Sequence, residues 1–249
     1  MLAKAPKHAL LLDYDGTLAP FSVQPDRALP YPGVRRILNN ILRQRQTRVV
    51  LISGRWTKDL IPLLGLKRLP EIWGSHGLER LHEDGRYEIY EFEEQALRGL
   101  AEADKWVESE EIEGRHEHKP GSLALHWRGL APQVIAGIRK KVFKKWPLLA
   151  QKAGLIISEF DGGVELRVPG RNKGHAVDTI LLEEGSTAAM AYLGDDVTDE
   201  DAFKAIKGKG LGVLVREEFR PTAADIWLKP PEELLEFLSR WHKTCRRSK

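Results

Sequence analysis

The sequence predicts an α/β protein whose parallel sheet is interrupted by a smaller α+β unit. Short apolar segments alternate with amphipathic helical patterns near both ends of the chain, an order typical of parallel sheets. Between them, two segments with a central Asp-Gly turn signal predict antiparallel hairpins and break the alternation. The length of 249 residues is sufficient for one large domain that carries an insertion.

The first predicted strand, residues 10–12, leads directly into Asp13 and Asp15. Carboxylates at the end of a buried strand need a charge partner, a metal ion or solvent, because burying an uncompensated charge is costly. Gly16 allows the chain to turn immediately after the two acids. Ligands of open parallel sheets bind at the carboxyl ends of the strands, where both aspartates are predicted. Taken alone, a pair of solvated loop aspartates remains an open alternative.

The other core elements follow in order. After a proline-rich loop, the first part of the chain is predicted to form a helix that starts at Pro32 and has its apolar face at 34–42, a strand at 49–52, a helix around 60–64 and a strand at 71–73. The last part is predicted to form a helix at 172–182, strands at 188–193, 211–215 and 226–228, and a helix at 231–241.

Residues 80–169 break this pattern, and we interpret them as an inserted domain. The two hairpins centre on Asp84-Gly85 and on Asp161-Gly162-Gly163. Helical patterns and one further strand complete the insertion, at 97–107, 134–146 and 122–127. The core domain is therefore predicted to comprise residues 1–79 and 170–249.

Polar residues stand at the predicted ends of the core elements: Asp13 and Asp15, Ser53, Lys173, and Asp195 with Asp196 and Asp199. Each has an ordinary explanation, as a helix cap, a solvated lysine or an acidic first turn. Together they fit phosphoryl transfer. Carboxylates bind Mg2+, serine and lysine hold phosphoryl oxygens, and one aspartate attacks phosphorus.

Composition excludes several other classes of protein. Lys and Arg number 39 against 36 Asp and Glu, and a net charge of +3 is too small to indicate nucleic-acid binding. The single cysteine, Cys245, excludes a disulfide framework and a cysteine metal cluster. The first apolar run is too short for a signal-peptide core or a membrane span, so we expect a cytoplasmic protein with no membrane partner. A monomer is the default expectation.

The motifs resemble, in the right order, those of the haloacid dehalogenase (HAD) superfamily: Asp13-Tyr14-Asp15-Gly16-Thr17, Ser53, Lys173 and Gly194-Asp195-Asp196. Over essentially the whole chain, further runs are similar to the trehalose-6-phosphate phosphatase family: Ser53-Gly54-Arg55, Gly74-Ser75-His76-Gly77, Leu125-His126-Trp127-Arg128, Asn172-Lys173-Gly174 and Gly194-Asp195-Asp196-Val197-Thr198-Asp199-Glu200. Trp127 departs from the tyrosine more common in that family. The resemblance implies a Rossmann-like HAD core with a parallel sheet and an inserted α+β cap domain that sets substrate specificity.

The resemblance also implies magnesium-dependent hydrolysis of trehalose 6-phosphate through an aspartyl phosphate. Asp13 would attack phosphorus, and Asp15 would protonate the departing sugar oxygen and then activate water. Ser53 and Lys173 would neutralise phosphoryl oxygens. The implied metal site consists of the Asp13 carboxylate, the Asp15 main-chain carbonyl and Asp195, with Asp199 orienting Lys173 or a metal-bound water and Asp196 outside direct ligation.

The resemblance implies that the sugar contacts Glu117, His118, Lys119, Arg128 and Glu165. It also implies substrate-binding positions for Arg55 and His76, at the rim of the cleft, and for Asn172. Strand alternation predicts Glu165 and Arg167 on one face of the cap, and an exposed polar face with incidental ion pairs stays the alternative. The expected partner is a small sugar phosphate, and association with a synthase that makes it is left open. Phosphatases for sucrose 6-phosphate, mannosyl-3-phosphoglycerate or glucosylglycerol phosphate, and a sugar phosphomutase, are the competing functions.

Overall fold

The computed structural model describes residues 5–22, 24–112, 115–160 and 162–246. It divides into two compact units, Met1–Glu88 with Asn172–Lys249, here called the core, and Ile89–Arg171, here called the cap. Asp161, which the sequence places in a turn, lies outside the described residues. Within those ranges, no helix combines the length and the apolar character needed to cross a membrane.

The strands are, in chain order, β1 (His8–Leu12), β2 (Arg48–Ile52), β3 (Glu71–Gly74), β4 (Glu79–Leu81), β5 (Tyr87–Ile89), β6 (Arg115–Lys119), β7 (Ser122–His126), β8 (Ile156–Phe160), β9 (Gly163–Arg167), β10 (Ala189–Gly194), β11 (Leu211–Val215) and β12 (Ile226–Leu228). The α-helices are α1 (Val34–Gln44), α2 (Thr57–Leu64), α3 (Glu94–Ser109), α4 (Pro132–Ala153), α5 (Lys173–Glu184), α6 (Glu200–Ile206) and α7 (Glu232–Arg246). The predicted core elements are confirmed, with ends that differ by a few residues.

The described core contains an eight-stranded sheet in the order β12-β11-β10-β1-β2-β3-β4-β5. β1 lies at its centre and pairs in parallel with β10 and β2. Leu10 and Leu12 pack into an apolar cluster with α1 and α7 on one face, whereas Ala9 and Leu11 pack with α5 and α6 on the other. Burial on both faces explains why β1 is a continuous apolar run instead of an alternating one.

The β4–β5 hairpin belongs to the core sheet, although the sequence placed it in the insertion. β4 pairs antiparallel with β3, with Gly74 opposite Glu79 and Trp73 opposite Arg80. The cap therefore spans Ile89–Arg171 and differs from the predicted range 80–169. The Asp84-Gly85 signal identifies a hairpin but contains no information about the sheet that the hairpin extends, because that pairing is decided by residues distant in sequence.

The cap contains an antiparallel four-stranded sheet in the order β6-β7-β9-β8. On one face, Leu123, Leu125, Val164 and Leu166 pack against α3 and α4 in a separate apolar cluster. β6 was not predicted as a strand. All five of its residues are basic, acidic or histidine, so it lacks the apolar alternation of a typical half-buried strand, and it lies at the edge of the sheet.

Candidate active site

The parallel strands bring the predicted acids together at one edge of the core sheet. Asp13 follows β1, Ser53 follows β2 and Asp195 follows β10, and these three strands are adjacent. Lys173 is the first residue of α5. Asp13, Lys173, Asp195 and Asp199 are all at least 97% shielded from solvent, with exposures of 3%, 3%, 1% and 0%. Interactions among these charges therefore take place in a medium that screens them weakly.

Lys173 connects two of the aspartates. Its Nζ donates to Asp13 Oδ1 and to Asp199 Oδ1, each at 2.7 Å. The Thr17 hydroxyl donates to the other Asp13 oxygen, Oδ2, at 3.2 Å. Donors on both oxygens fix the orientation of the Asp13 carboxylate, which is what an attacking group requires.

Asp199 organises the acidic loop after β10. Its Oδ2 accepts from the main-chain amides of Asp195 and Asp196, at 3.0 and 2.9 Å. Its Oδ1 accepts from Lys173 and from the hydroxyl of Tyr192. Because four donors engage its two oxygens, Asp199 is better placed to orient Lys173 and the loop than to hold a metal ion directly. This arrangement favours the first of the two roles that the resemblance implies for it.

Gly16 allows the two halves of the site to approach each other. Its φ of +82° lies in the left-handed region, and a Cβ built on it would lie 2.2 Å from Asp195 Oδ2. A side chain at this position would therefore be strained and would also displace Asp195. The conformational requirement of the turn follows from the sequence, but only the structure shows the close contact with Asp195.

Burial and charge act differently on the three carboxyl groups. Burial raises the pKa of Asp13 from 3.8 to about 7, although Lys173 opposes the rise. The pKa of Asp195 is also raised, by burial and by the neighbouring charge of Asp13. For Asp199, burial is outweighed by Lys173 and by its hydrogen bonds, so its pKa is lowered. Lys173 therefore does not compensate all three carboxylates when they are ionised, and Asp13 and Asp195 are shifted towards the neutral form.

This charge imbalance fits a divalent cation. Oxygens of Asp13, Asp195 and Asp199 lie within 4.8 Å of one another. Asp195 Oδ2 is buried and has no hydrogen-bond partner among the described residues. Hard divalent cations prefer carboxylate oxygens. Asp13 and Asp195 would hold such an ion, together with the main-chain carbonyl of Asp15 that the resemblance implies.

Asp15 and Arg55 form a bidentate ion pair. Arg55 Nε and Nη2 donate to the two Asp15 oxygens at 2.6 and 2.7 Å. Asp15 is a little more exposed than its partner, with 27% of its side chain accessible against 14% for Arg55. Arg55 therefore positions the Asp15 side chain, and its predicted contact with the sugar stays a prediction.

Three further predicted site residues of the core, Ser53, His76 and Asn172, make contacts close to their own positions in the chain. Ser53 is buried and its Oγ accepts from the amide of Arg55 at 3.1 Å. His76 lies in the left-handed region, with φ of 56°, and its ring contacts Gly54 so closely that a Cβ there would be 2.6 Å from Nε2. Asn172 caps α5 by accepting from the amide of His175 at 2.9 Å. Asn172 therefore has a structural role as the residue that caps the N-terminus of α5, and its predicted part in substrate binding stays a prediction.

The predicted cap residues are divided between two faces of the cap sheet. Lys119 Nζ lies 2.9 Å from Glu165 Oε1 and 4.0 Å from Glu117 Oε2, so these three residues form a cluster on the face opposite the helices. His118 lies on the helix-facing side, because it is opposite Leu123 in the register. Arg128 follows β7 and approaches Gly162, where a Cβ would lie 3.0 Å from its side chain.

Two residues of the site were missed by the sequence analysis. Tyr192, in β10, donates its hydroxyl to Asp199 and is fully buried. Arg220 donates to the main-chain carbonyls of Asp195 and Asp196, at 3.1 and 2.6 Å, and to Glu200 Oε1 at 2.6 Å. For Tyr192 the sequence did contain a signal, because the hydroxyl of a tyrosine within a predicted buried strand is expected to have a hydrogen-bond partner. Nothing local in the sequence indicates that Arg220, 20 to 25 residues downstream, reaches the loop.

Solved structures share this architecture. The C-terminal domain of a trehalose-6-phosphate phosphatase from C. albicans matches with a TM-score of 0.83 and 22% identity, covering 97% of this chain and 94% of that chain. A phosphatase of the HAD superfamily from Bacteroides thetaiotaomicron matches with a TM-score of 0.62 and 17% identity, covering 94% and 95%. These identities show the fold. The protein shares with these structures an α/β fold that is built on a mostly parallel central sheet.

The particular family follows from the sequence comparison. A family profile described as trehalose-phosphatase matches residues 11–228, and the chain belongs to this family. A trehalose-phosphate phosphatase of Mycobacterium marinum is 32% identical over 248 residues, covering 94% of this chain and 61% of that protein. A trehalose 6-phosphate phosphatase of Zea mays is 29% identical over 267 residues, covering 95% and 70%.

The chain spans only part of the length of the curated relatives that it matches. A Mycobacterium tuberculosis protein described as an uncharacterized glycosyl hydrolase is 34% identical over 250 residues, covering 93% of this chain but only 18% of that protein. The similarity to that protein is therefore confined to one part of it.

Proposed function

We propose that the protein is a magnesium-dependent phosphatase that hydrolyses trehalose 6-phosphate to trehalose and phosphate. The observation that carries this proposal is the buried Asp13 carboxylate, held by Lys173 and Thr17 beside Asp195, whose Oδ2 lacks a described partner. Membership of the trehalose-phosphatase family supports the choice of substrate.

In the proposed reaction Asp13 is the nucleophile, and Asp15 acts first as an acid and then as a base. Asp13 attacks phosphorus and forms an aspartyl phosphate, while Asp15, released from its ion pair with Arg55 and protonated, gives its proton to the departing sugar oxygen. Asp15 then takes a proton from the water that hydrolyses the intermediate, and phosphate leaves. Lys173 and Ser53 neutralise the phosphoryl oxygens. When bound, Mg2+ supplies the positive charge that keeps the carboxylates ionised and stabilises charge on the phosphoryl group.

We propose that the polar face of the cap sheet recognises the sugar and so selects the substrate. The Lys119–Glu165 pair is almost fully buried, with 5% and 3% of the side chains exposed, and Glu165 also accepts from the Ser122 hydroxyl at 2.8 Å. Glu117 accepts from His126 Nε2 at 2.7 Å. Sugar hydroxyls both donate and accept hydrogen bonds, so a preorganised set of carboxylates and an ammonium group suits them. We assign Glu117, Lys119 and Glu165 to this role, and His118, on the other face, is left out.

Phosphate release from a panel of sugar phosphates tests the proposal. The panel contains trehalose 6-phosphate, sucrose 6-phosphate, glucose 6-phosphate, mannosyl-3-phosphoglycerate and glucosylglycerol phosphate, each assayed with Mg2+ and with a chelator. We expect the highest kcat/KM for trehalose 6-phosphate and no turnover with the chelator. Preference for another glycoside phosphate would support the proposed reaction but contradict trehalose 6-phosphate as the substrate. Absence of turnover with every compound would overturn the proposed function.

Lys119→Met is expected to raise the KM for trehalose 6-phosphate about tenfold or more. The loss of the ammonium group removes a hydrogen-bond donor to the sugar and one positive charge that lies 2.9 Å from the buried Glu165 carboxylate. Turnover of para-nitrophenyl phosphate, which has no sugar, should change much less. The comparison of the two substrates is made by steady-state kinetics.

Arg139→Gln is the matched control for this variant. Arg139 also pairs with a glutamate of the cap sheet, Glu159, but both side chains are exposed, at 41% and 49%. Exposed pairs contribute little, so neither substrate should be affected. Equal losses for both substrates in Lys119→Met would contradict a role in recognising the sugar.

The rise in melting temperature caused by Mg2+ is expected to be larger at about pH 8 than at about pH 5.5. Burial raises the pKa of Asp13 to about 7 and raises that of Asp195, so protons compete with the cation at the lower pH. Asp195→Asn should remove most of the rise. Asp178→Asn, an exposed carboxylate that pairs with Lys209, should retain it. A Mg2+ effect that does not vary with pH would contradict binding at these two acids.

The proposed reaction also defines the class of enzyme that precedes it. A synthase that transfers a glucosyl group to a sugar phosphate supplies a phosphorylated disaccharide, which this phosphatase consumes. Direct association with such a synthase, and a cytoplasmic location, stay predictions from the sequence.

A further inference from the structure

The cap contains its own group of metal-ligating side chains: Asp104 on α3, and His116 and His118 on β6. One donor atom from each lies within 4.8 Å of the others. Because alternate residues of a strand point to the same side, both histidines share one face of β6. Their register partners, Leu125 and Leu123, pack against α3 and α4, so this is the helix-facing side.

One pair of donor atoms in this group has the spacing of two ligands around one ion. His118 Nε2 lies 3.1 Å from Asp104 Oδ1. Two ligands of a tetrahedral zinc ion, each about 2.0–2.1 Å from the metal, lie about 3.3 Å apart. The imidazole rings of His116 and His118 are nearly perpendicular, at 85°, with centroids 5.5 Å apart.

An ordinary hydrogen bond does not account for the close approach of Asp104. Although Asp104 Oδ1 is so near His118, it is buried and has no hydrogen-bond partner within the described ranges. The two atoms are close but not aligned as donor and acceptor. A buried oxygen without a hydrogen-bond donor carries a free-energy cost, which a positive charge beside it removes, either on a protonated His118 or on a bound cation.

We infer that Asp104, His116 and His118 form a binding site for a divalent transition-metal ion such as Zn2+, with a fourth position for water. Two imidazoles and a carboxylate suit Zn2+ and its neighbours, whereas Mg2+ prefers a set of oxygens. The carboxylates of Asp13, Asp195 and Asp199 in the core are such a set of oxygens. The two units therefore offer sites of different metal preference. His118 has 56% of its side chain exposed, so an ion can reach the site from solvent.

Metal binding at this site connects the edge strand of the cap sheet to a helix. β6 is paired on one side only, with β7, and its residues alternate between the histidines and the polar pair Glu117 and Lys119. A metal ion between β6 and α3 adds a cross-link that is absent from the unfolded chain. Zn2+ therefore stabilises the folded protein by mass action.

Calorimetric titration of the full chain with Zn2+, in a large excess of Mg2+ that occupies the core carboxylates, tests this inference. We expect one equivalent of Zn2+ to bind and to raise the melting temperature. His116→Ala and His118→Ala should each weaken binding at least about tenfold, because each removes one of three protein ligands. Co2+ in place of Zn2+ should give the visible absorption bands of a tetrahedral ion, and both variants should lose them.

His82→Gln is the matched control. His82 Nε2 also lies 3.1 Å from a carboxylate oxygen, that of Glu88, but His82 belongs to the core and to neither group of possible metal ligands among the described residues. Zn2+ affinity should be unchanged in this variant. The inference is overturned if the wild-type chain takes up no Zn2+ beside Mg2+, if uptake survives both cap substitutions, or if His82→Gln reduces it equally. These measurements record binding without turnover, so their outcome is independent of the proposed phosphatase activity.

Discussion

Asp13→Asn is expected to reduce phosphate release from trehalose 6-phosphate by at least about three orders of magnitude. The substitution keeps the size and shape of the side chain but removes the oxygen nucleophile that forms the aspartyl phosphate. Intact-mass measurement after rapid quenching should detect a single added phosphoryl group in the wild-type chain during turnover. The same measurement should detect none in the variant.

Loss of activity in Asp13→Asn should not come from loss of folding. The pKa of Asp13 is raised from 3.8 to about 7 in the folded protein, so the metal-free fold loses stability as pH rises between these values. A neutral asparagine avoids this loss. At about pH 8 and without metal, the variant should therefore unfold in denaturant at a concentration no lower than the wild type.

Asp178→Asn provides the comparison for Asp13→Asn, because it removes an exposed carboxylate of the core and should leave activity intact. Turnover that survives in Asp13→Asn would contradict the assignment of the nucleophile. A large loss of stability in that variant would contradict the account of the buried charge.

Lys173→Met is expected to lower the free energy of unfolding by about 3–5 kcal/mol at about pH 8 in the absence of metal. Lys173 is 3% exposed and bonds both Asp13 and Asp199 at 2.7 Å. Its removal leaves buried carboxylates without the charge that compensates them. The effect is measured by denaturant unfolding, and phosphate release should be lost as well.

The effect of Lys173→Met should decrease as pH falls. Lys173 is charged throughout this range, because its ion pairs raise a pKa that is already high. The pKa of Asp199 is lowered in the folded protein, so its contribution is present above its unfolded value, near pH 4, and is lost as pH falls through the lower folded value. Protonation of Asp13 below about pH 7 also removes one of the charges that Lys173 compensates.

A second substitution and a surface control complete this test. Lys173→Met combined with Asp199→Asn should cost less than the sum of the two single changes. Asp199→Asn removes the buried negative charge that Lys173→Met leaves without its lysine. Lys209→Met removes an exposed lysine 3.5 Å from Asp178 and should cost less than about 0.5 kcal/mol. Additive costs for Lys173 and Asp199, or equal costs for Lys173 and Lys209, would contradict the buried network.

The order of core elements and the composition of the acidic site could be predicted from the sequence. β1, β2 and β10 are short apolar runs that each end in polar residues, and parallel strands place those ends at a common edge. Asp13, Asp195 and Lys173 therefore converge for a reason that is local in sequence and general to the fold. The resemblance to a known family then indicated their roles.

Long-range pairing and side-chain direction could not be predicted in the same way. The β4–β5 hairpin extends the core sheet because of its pairing with β3, and β6 forms because β7 lies beside it, although its own residues favour no strand. Arg220 reaches the acidic loop from a distant segment. The faces of β6, with Lys119 on one side and His118 on the other, depend on register. Local patterns thus determine which elements exist and where each strand ends, whereas contacts between distant residues decide which sheet a strand joins and which neighbours its side chains meet.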